Sequence, residues 1–166
     1  MSTRAFLGLG TNLGDRWGHL RRAVDSLRAD GLVVGVSPVY ETEPVGGPEQ
    51  GVFLNIVVEV ATDLEPDALL ERCFELERAA GRERRVRWGP RTLDVDVLWI
   101  DGFTSAEPRL IVPHPRMHER NFVMAPLLDL ASDLDVPGYD PETAIGDVSV
   151  VGTLDDGPAD RPSVPT

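Results

Sequence analysis

The sequence predicts an α+β fold, because apolar patterns of period two, typical of strands, alternate with patterns of period three to four, typical of helices. Their order is strand, helix, strand, strand, helix, strand, followed by a short hairpin and a final helix. At 166 residues the chain is long enough for one well-buried domain and short for two. This order fits a ferredoxin-like βαββαβ sandwich with a C-terminal hairpin and helix extension.

The first strand and the first helix are expected within the N-terminal thirty residues. The apolar run 5–9 indicates a strand. Apolar residues then recur at steps of four and three from 13 to 27, which predicts an amphipathic helix capped by Asn12 and stopped by Gly31. A β-branched run at 32–36 indicates the second strand, which 39–42 extends past a proline.

The Pro- and Gly-rich segment 43–51 predicts a loop that is longer than a hairpin turn needs, which leaves room for a ligand. The longest alternating strand follows at 52–61 and places Phe53 and Asn55 on one face. An aromatic plane beside an amide suits a planar heterocycle. A sheet-edge aromatic with a turnward asparagine explains the same pattern equally well.

The second helix is predicted from Pro66, a favoured first helical residue, to Gly81. Glu77 lies beside its apolar stripe, close to the end. The chain's one cysteine, Cys73, lies on the stripe and is interpreted as a small buried hydrophobe. A single cysteine permits no intrachain disulfide, so we expect a cytoplasmic location.

The segment 82–100 combines an arginine-rich loop with a strand that carries two acids. Asp94 and Asp96 project from one strand face, about 6.6 Å apart along the chain, opposite a set of apolar residues: Leu93, Val95, Val97 and Trp99. Mg²⁺ takes one or two carboxylates, and arginine forks match phosphate oxygens. Either feature alone is commonly a solvated surface, but their adjacency predicts a site for a polyphosphate and its magnesium.

The C-terminal third is predicted as a turn at 101–102, a short strand at 110–112 and a helix at 123–130. His114, held between two prolines, is interpreted as a fixed hydrogen-bonding group beside a phosphate. A zinc site with His118 is disfavoured, because no third ligand accompanies the pair. We assign 1–150 to a single domain and 151–166 to a disordered tail, since the tail has almost no large apolar residues.

Composition excludes several classes of function. The net charge of −12 argues against nucleic-acid binding, and no apolar run approaches the roughly 20 residues of a membrane-spanning helix. All 16 basic residues are arginine, which removes lysine-dependent phosphate loops, protein kinases and Schiff-base enzymes.

The segment 87–96, RWGPRTLDVD, closely resembles the signature of the 6-hydroxymethyl-7,8-dihydropterin pyrophosphokinases, a family of the folate pathway. Further similarity is spread over residues 4–135: GTNLG at 10–14, YET at 40–42, FLN at 53–55, GR at 81–82, VPH at 112–114, and Phe122 before PL at 126–127. The resemblance implies transfer of the β,γ-diphosphate of ATP to a reduced hydroxymethylpterin, with release of AMP. We expect a monomer, although the sequence leaves the oligomeric state open.

The resemblance also implies roles for individual residues. Asp94 and Asp96 would hold two Mg²⁺ ions. The predicted phosphate-binding residues are Arg82, Arg91 and His114, joined by Arg84, Arg109 and Arg120, with Arg82 and Arg91 counted as catalytic alongside the two aspartates. The predicted pterin-binding residues are Thr42, Val45, Phe53, Asn55, Trp88 and Phe122, with Trp88 part of a closing lid. The predicted neighbours of adenosine are Leu70 and Glu77.

A few positions depart from the family pattern, namely Glu43, Phe53, Pro115 and an arginine loop that is one residue shorter. They leave loop closure and substrate order open. Two other functions remain to be weighed: another Mg²⁺-dependent phospho- or nucleotidyltransferase, and a non-catalytic ferredoxin-like module that binds RNA or a small ligand. The second lacks an RNP-type aromatic motif and has the wrong charge.

Overall fold

The computed structural model describes residues 2–43, 51–81 and 92–159. Within these ranges the strands and helices follow in the order β1 (Thr3–Thr11), α1 (Arg16–Ala29), β2 (Val33–Val36), β3 (Val39–Thr42), β4 (Phe53–Thr62), α2 (Pro66–Ala79), β5 (Asp94–Ile100), β6 (Ser105–Glu107), β7 (Leu110–Val112), α3 (Asn121–Leu130), β8 (Val148–Thr153) and β9 (Gly157–Pro158). A single 3-10 turn, Met117–Glu119, precedes α3.

The main sheet is antiparallel, with strand order β5-β1-β4-β3-β8-β9. β2 and β3 both pair with the same side of β4, one after the other, and β3 also pairs with β8. The strands β6 and β7 form a separate hairpin. The central position of β1 between β4 and β5, with helices crossing between strands, is the topology that the sequence predicts.

Helices cover both faces of the sheet. α1 and α2 bury one apolar cluster, to which β1 contributes Ala5, Leu7 and Leu9. α3 buries the other cluster, which contains Phe6 and Leu98. Successive residues of β1 therefore serve opposite layers, as the period of two in a strand requires. Among the described residues, no helix is both long enough and apolar enough to span a bilayer.

The start of α1 differs from the sequence prediction. Asp15 caps the helix by accepting the Gly18 N–H at 3.1 Å, whereas Asn12 Nδ2 donates to the Gly51 carbonyl at 3.0 Å. Asn12 was the wrong cap because a second capping residue follows three positions later, closer to the first helical turn. The predicted stop at Gly31 is confirmed, since its φ of +73° is a conformation that favours glycine.

A register shift between β1 and β5 corrects the predicted position of Trp99. Phe6 pairs with Trp99 but the next residue, Leu7, pairs with Val97. Leu98 and Trp99 therefore both pack in the α3 cluster, although the strict alternation of the sequence put Trp99 on the face of Val97. Asp94 and Asp96 both come before this shift in the chain, so they lie on one face of β5, as predicted.

The C-terminal segment is ordered where the sequence predicts disorder. β8 pairs with β3, with Val148 opposite Thr42, and β9 folds back on β8. Leu154 is 7% exposed, and its carbonyl accepts a hydrogen bond from Arg21 Nε at 3.3 Å. Backbone pairing with a distant strand orders residues 151–159 despite their polar composition, while 160–166 lie outside the described residues.

Candidate functional site

Two glycines in the central strand, Gly8 and Gly10, let the side chains of Leu98 and Asn55 lie close over β1 on the α3 side of the sheet. Gly8 pairs with Asp96, and Gly10 pairs with Asn55 on one side and Asp94 on the other. Directly opposed residues share a face, so these five residues form one surface. We call it the polar end of the sheet. The two glycines place no side chain between the amide of β4 and the acids of β5.

The acid pair has the chemistry of a magnesium site. Asp94 is half-buried and Asp96 is exposed. Their carboxylates are hard oxygen ligands, and Mg²⁺ is usually held by one or two of these with water and phosphate oxygens completing its octahedron. No group of three His, Cys, Asp or Glu side chains that would hold a metal occurs in the described ranges. Two carboxylates are fewer ligands than Mg²⁺ takes, so water or phosphate oxygens would have to complete the coordination of an ion held there.

Glu77 supports the acid pair from the α2 side. It is 6% exposed, and its Oε1 accepts the Val95 N–H at 2.9 Å. Val95 lies between the two aspartates on an edge strand, so this bond satisfies an edge amide and fixes β5 against α2. Nearby, burial and then the charge of Asp96 raise the pKa of the Cys73 thiol, which keeps it neutral, as expected for a buried hydrophobe.

Asn55 is held in one orientation. It is 7% exposed, and its Nδ2 donates to Thr42 Oγ1 at 2.6 Å. Its Oδ1 lies over Gly10, where an added Cβ would approach to 2.8 Å. Phe53, two residues earlier, is half-buried on the same face. The arrangement presents an oriented amide beside an aromatic plane, which is one of the two interpretations that the sequence left open.

A cationic group lies at the start of α3. Arg120 and Phe122 are both half-buried, and the guanidinium carbon of Arg120 lies 5.6 Å from the Phe122 ring centroid. Burial lowers the pKa of Arg120, whereas the negative charge of Asp96 raises it. The arginine stays charged, and it lies within electrostatic reach of the acid pair. A phosphate bridging these groups would meet both a cation and a metal site.

His114 is neutral and has a defined tautomer. Burial first, then the positive charges of Arg120 and Arg116, lower its pKa to about 4. Its Nδ1 accepts the Arg116 backbone N–H at 3.3 Å. The proton of the neutral ring must therefore be on Nε2, which is free to donate to an oxygen acceptor. This geometry supports a hydrogen-bonding role for His114.

The lowered pKa of His114 predicts how stability depends on pH. As the pH falls, the unfolded histidine, with its pKa near 6.5, takes up a proton before the folded one. The stability contributed by the neutral ring is thus complete above pH 6.5 and is lost as the pH falls towards 4. We expect the wild type to lose roughly 2 kcal/mol more than His114→Gln over this window, after allowance for partial exposure. Urea unfolding from pH 7 to pH 4 measures this, and parallel curves would refute it.

Gly10→Ala tests the space in the central strand. The new Cβ would displace the Asn55 side-chain amide that Thr42 holds in place, so if Asn55 contacts the substrate, we expect the KM for that substrate to rise about tenfold. Gly35→Ala is a matched control, because that strand glycine lies away from the site and its added Cβ meets only the tip of Leu130. Equal effects of the two substitutions on KM would show that Gly10 has no special role.

Most of the predicted site residues that the structure describes lie in two adjacent groups. The first is the surface formed by Asp94, Asp96, Asn55, Thr42 and Phe53, and the second consists of His114, Arg120 and Phe122. Five predicted site residues lie outside the described residues: Val45, Arg82, Arg84, Trp88 and Arg91.

The predicted nucleotide residues on α2 and the β6–β7 turn have structural partners of their own. Arg109 pairs with Glu71, and its Nε lies 3.7 Å from Asp67 Oδ1. Leu70 is 7% exposed within the apolar core. Contacts of Leu70, Glu77 and Arg109 with a nucleotide remain predictions.

Several residues of the site were not singled out from the sequence. The alternation of Gly8 and Gly10 with Leu7 and Leu9 was the available signal, because glycine inside a strand marks a close approach. Arg116 could not be recognised from the sequence, because it acts on His114 through its backbone N–H and its nearby charge. Its position depends on the tertiary fold around His114.

Comparisons with known proteins relate the chain to one family. The family model described as 7,8-dihydro-6-hydroxymethylpterin-pyrophosphokinase matches residues 6–132. A Bacillus subtilis (strain 168) protein named 2-amino-4-hydroxy-6-hydroxymethyldihydropteridine pyrophosphokinase is 46% identical over 145 residues, which cover 86% of this chain and 87% of the relative. A Methylorubrum extorquens protein of the same name is 43% identical over 152 residues, or 90% and 96% of the two chains.

Solved structures agree with the fold. Plasmodium falciparum HPPK-DHPS with pteroate matches with a TM-score of 0.64 at 15% identity, over 84% of this chain and 41% of that chain. Another HPPK-DHPS structure, in complex with substrates, gives a TM-score of 0.62 at 13% identity, with 84% and 42% covered. This chain spans about two-fifths of those solved chains. The likeness confirms the predicted ferredoxin-like fold.

Proposed function

This chain belongs to the 7,8-dihydro-6-hydroxymethylpterin-pyrophosphokinase family, and on that premise we propose which of its residues carry the reaction. It is a diphosphotransferase of folate biosynthesis that transfers the β,γ-diphosphate of ATP to the hydroxymethyl group of 6-hydroxymethyl-7,8-dihydropterin and releases AMP. The observation that carries the residue assignment is the shared surface of Asn55, Asp94 and Asp96 around Gly10.

Asp94 and Asp96 hold magnesium in this proposal, with two ions expected. Bound there, Mg²⁺ would offset charge on the phosphate oxygens and on the leaving oxygen of AMP. The protein contributes the rigid strand β5, which the Glu77 bond to the Val95 N–H fixes in place. Since the aspartates share one face of one strand, they present both carboxylates to the same polyphosphate.

The acceptor lies on the other side of Gly10. Asn55, oriented by Thr42, reads the polar edge of the pterin, and Phe53 and Phe122 supply the surfaces on which its ring stacks. Val45 and Trp88 complete the acceptor site in this proposal. Because Gly10 has no side chain, the Asn55 amide lies directly over the central strand, beside the acid pair that the pterin hydroxymethyl group has to reach.

The nucleotide phosphates are bound by cations and by a neutral donor. Arg120 lies within electrostatic reach of Asp96, and Nε2 of His114 donates to a phosphate oxygen. Arg82, Arg84, Arg91 and Arg109 join them, with Leu70 and Glu77 near the adenosine. Phosphoryl-type transfer asks for positioning and charge stabilisation rather than covalent chemistry from the protein, and this set of side chains supplies both.

A product assay tests the proposed reaction. The protein is incubated with ATP, Mg²⁺ and 6-hydroxymethyl-7,8-dihydropterin, and both products are identified by mass. AMP with the pterin diphosphate is the expected pair. ADP with a pterin monophosphate would indicate an ordinary kinase, and release of free pyrophosphate would indicate a nucleotidyltransferase.

We also propose the setting in which the enzyme acts. The free, buried Cys73 supports a cytoplasmic location, and the acidic composition supports an enzyme that does not bind nucleic acid. We further propose that it is a monomer and does not bind membranes. Sedimentation of the purified chain tests the monomer directly. A stable dimer at micromolar concentration would contradict that part of the proposal.

A further inference from the structure

One asparagine ties the segment 139–146 to the start of α3. Asn121 Nδ2 donates to the carbonyls of Ala144 at 3.1 Å and Gly146 at 3.2 Å. Its backbone N–H donates to the Ile145 carbonyl at 2.9 Å. The Tyr139 hydroxyl donates to Asn121 Oδ1 at 3.3 Å. Both donors and the acceptor of the side-chain amide are therefore used, and all of them engage one segment.

This segment lies against the residues that flank Asn121. The Ile145 N–H donates to the Glu119 carbonyl at 2.7 Å, which adds a second backbone bond at the same place. A Cβ built on Gly146 would lie 3.5 Å from Phe122 Cδ1, so the segment's backbone packs beside the phenyl ring. The φ of +103° at Gly146 is open to glycine and rarely to other residues.

The Asn121 side chain is not used as a helix cap. An asparagine at a helix start ordinarily stabilises the helix by accepting one of its free N–H groups, yet no side chain caps α3. Inside a helix, asparagine is a poorer helix former than alanine. Its amide serves the segment 139–146 instead, which indicates a role in placing that segment rather than in forming α3.

We propose that Asn121 is a positioning residue for the acceptor site: by fixing the segment 139–146 against α3, it fixes the orientation of the Phe122 ring. The inference rests on the proposed stacking of the pterin on Phe122. Asn121 touches no substrate itself. Arg120, the proposed phosphate-binding neighbour of Asn121, also interacts electrostatically with Asp96, and this interaction does not depend on Asn121. Loss of Asn121 should therefore weaken pterin binding much more than ATP binding.

The test compares KM values in a set of variants. We expect Asn121→Ala to raise the KM for the pterin about five- to tenfold and to change the KM for ATP less than about twofold, because loss of orientation affects only the group that is oriented. Asn121→Asp, which keeps the Tyr139 acceptor but sets an oxygen against two carbonyls, should behave similarly. Tyr139→Phe, which removes one bond, should have a smaller effect in the same direction.

Thr143→Ala is the matched control, because Thr143 Oγ1 bonds only within the segment, to the Asp140 carbonyl, and should leave both KM values unchanged. A structural role alone would reduce the active fraction and change neither KM. Equal shifts in both KM values, or none, in the folded variants would overturn the inference. Tyr139→Phe keeps the test decisive if Asn121→Ala does not fold. If the wild type itself forms no AMP, the proposed function is wrong, and this outcome is distinct from failure of the inference about Asn121.

Discussion

Asp96→Ala is expected to abolish Mg²⁺-dependent turnover, with kcat falling about a thousandfold or more, which corresponds to roughly 4 kcal/mol of lost transition-state stabilisation. The carboxylate is exposed on the polar end of the sheet, opposite Gly8. Its removal takes away one of the two proposed magnesium ligands while opening no cavity in the core. The fold should therefore survive, with a melting temperature within a few degrees of wild type.

The measurement is initial rate against Mg²⁺ concentration at saturating ATP and pterin, with AMP as the product followed. Asp96→Asn keeps the shape of the side chain and should lose nearly as much activity, because an amide is a weaker ligand than a carboxylate. Glu107→Ala removes an exposed acid on β6 and controls for the change in net charge. Substantial activity in Asp96→Ala at any Mg²⁺ concentration would refute the metal assignment.

Asn55→Ala is expected to raise the KM for the pterin about 30- to 100-fold while the KM for ATP changes less than about threefold. Removing a buried amide that hydrogen-bonds the polar edge of a heterocycle costs about 2 to 3 kcal/mol of binding free energy, because polar groups of the ligand are left unpaired. Thr42 loses its bond to Nδ2 at the same time, so some loss of stability will accompany the binding defect.

The control for that loss is Ser37→Ala. Ser37 is 1% exposed, and its Oγ accepts the Val57 N–H at 2.9 Å, so it bonds to β4 at the pair Gly8–Val57 and not at the pair Gly10–Asn55. It should lower the melting temperature and leave both KM values alone. Parallel increases of the two KM values in Asn55→Ala would mean that Asn55 does not read the pterin.

The elements with local signals were predictable from the sequence. Pro66 begins α2, Gly31 follows α1, and the alternation around Asp94 and Asp96 placed both acids on one face. Each of these depends on backbone preferences that act within a few residues. The resemblance to a known family then assigned chemistry to positions that geometry alone left ambiguous, such as Phe53 and Asn55.

What the sequence missed depends on contacts between distant residues. Nothing in the composition of 151–159 indicates that β8 pairs with β3, more than a hundred residues away, or that Leu154 is buried. The displacement of Trp99 to the α3 side follows from one shifted pair between β1 and β5. The link from Asn121 to Gly146 likewise joins two separate segments, and neither carries a recognisable motif.

In the proposed reaction, Asp94 and Asp96 hold the metal together with the nucleotide. Electron paramagnetic resonance of Mn²⁺, added as a substitute for Mg²⁺ with a non-hydrolysable ATP analogue, counts bound ions without relying on activity. We predict nucleotide-dependent Mn²⁺ binding to the wild-type chain and its loss in the double variant Asp94→Asn, Asp96→Asn. Undiminished Mn²⁺ binding by a folded double variant in the presence of the analogue would contradict the account.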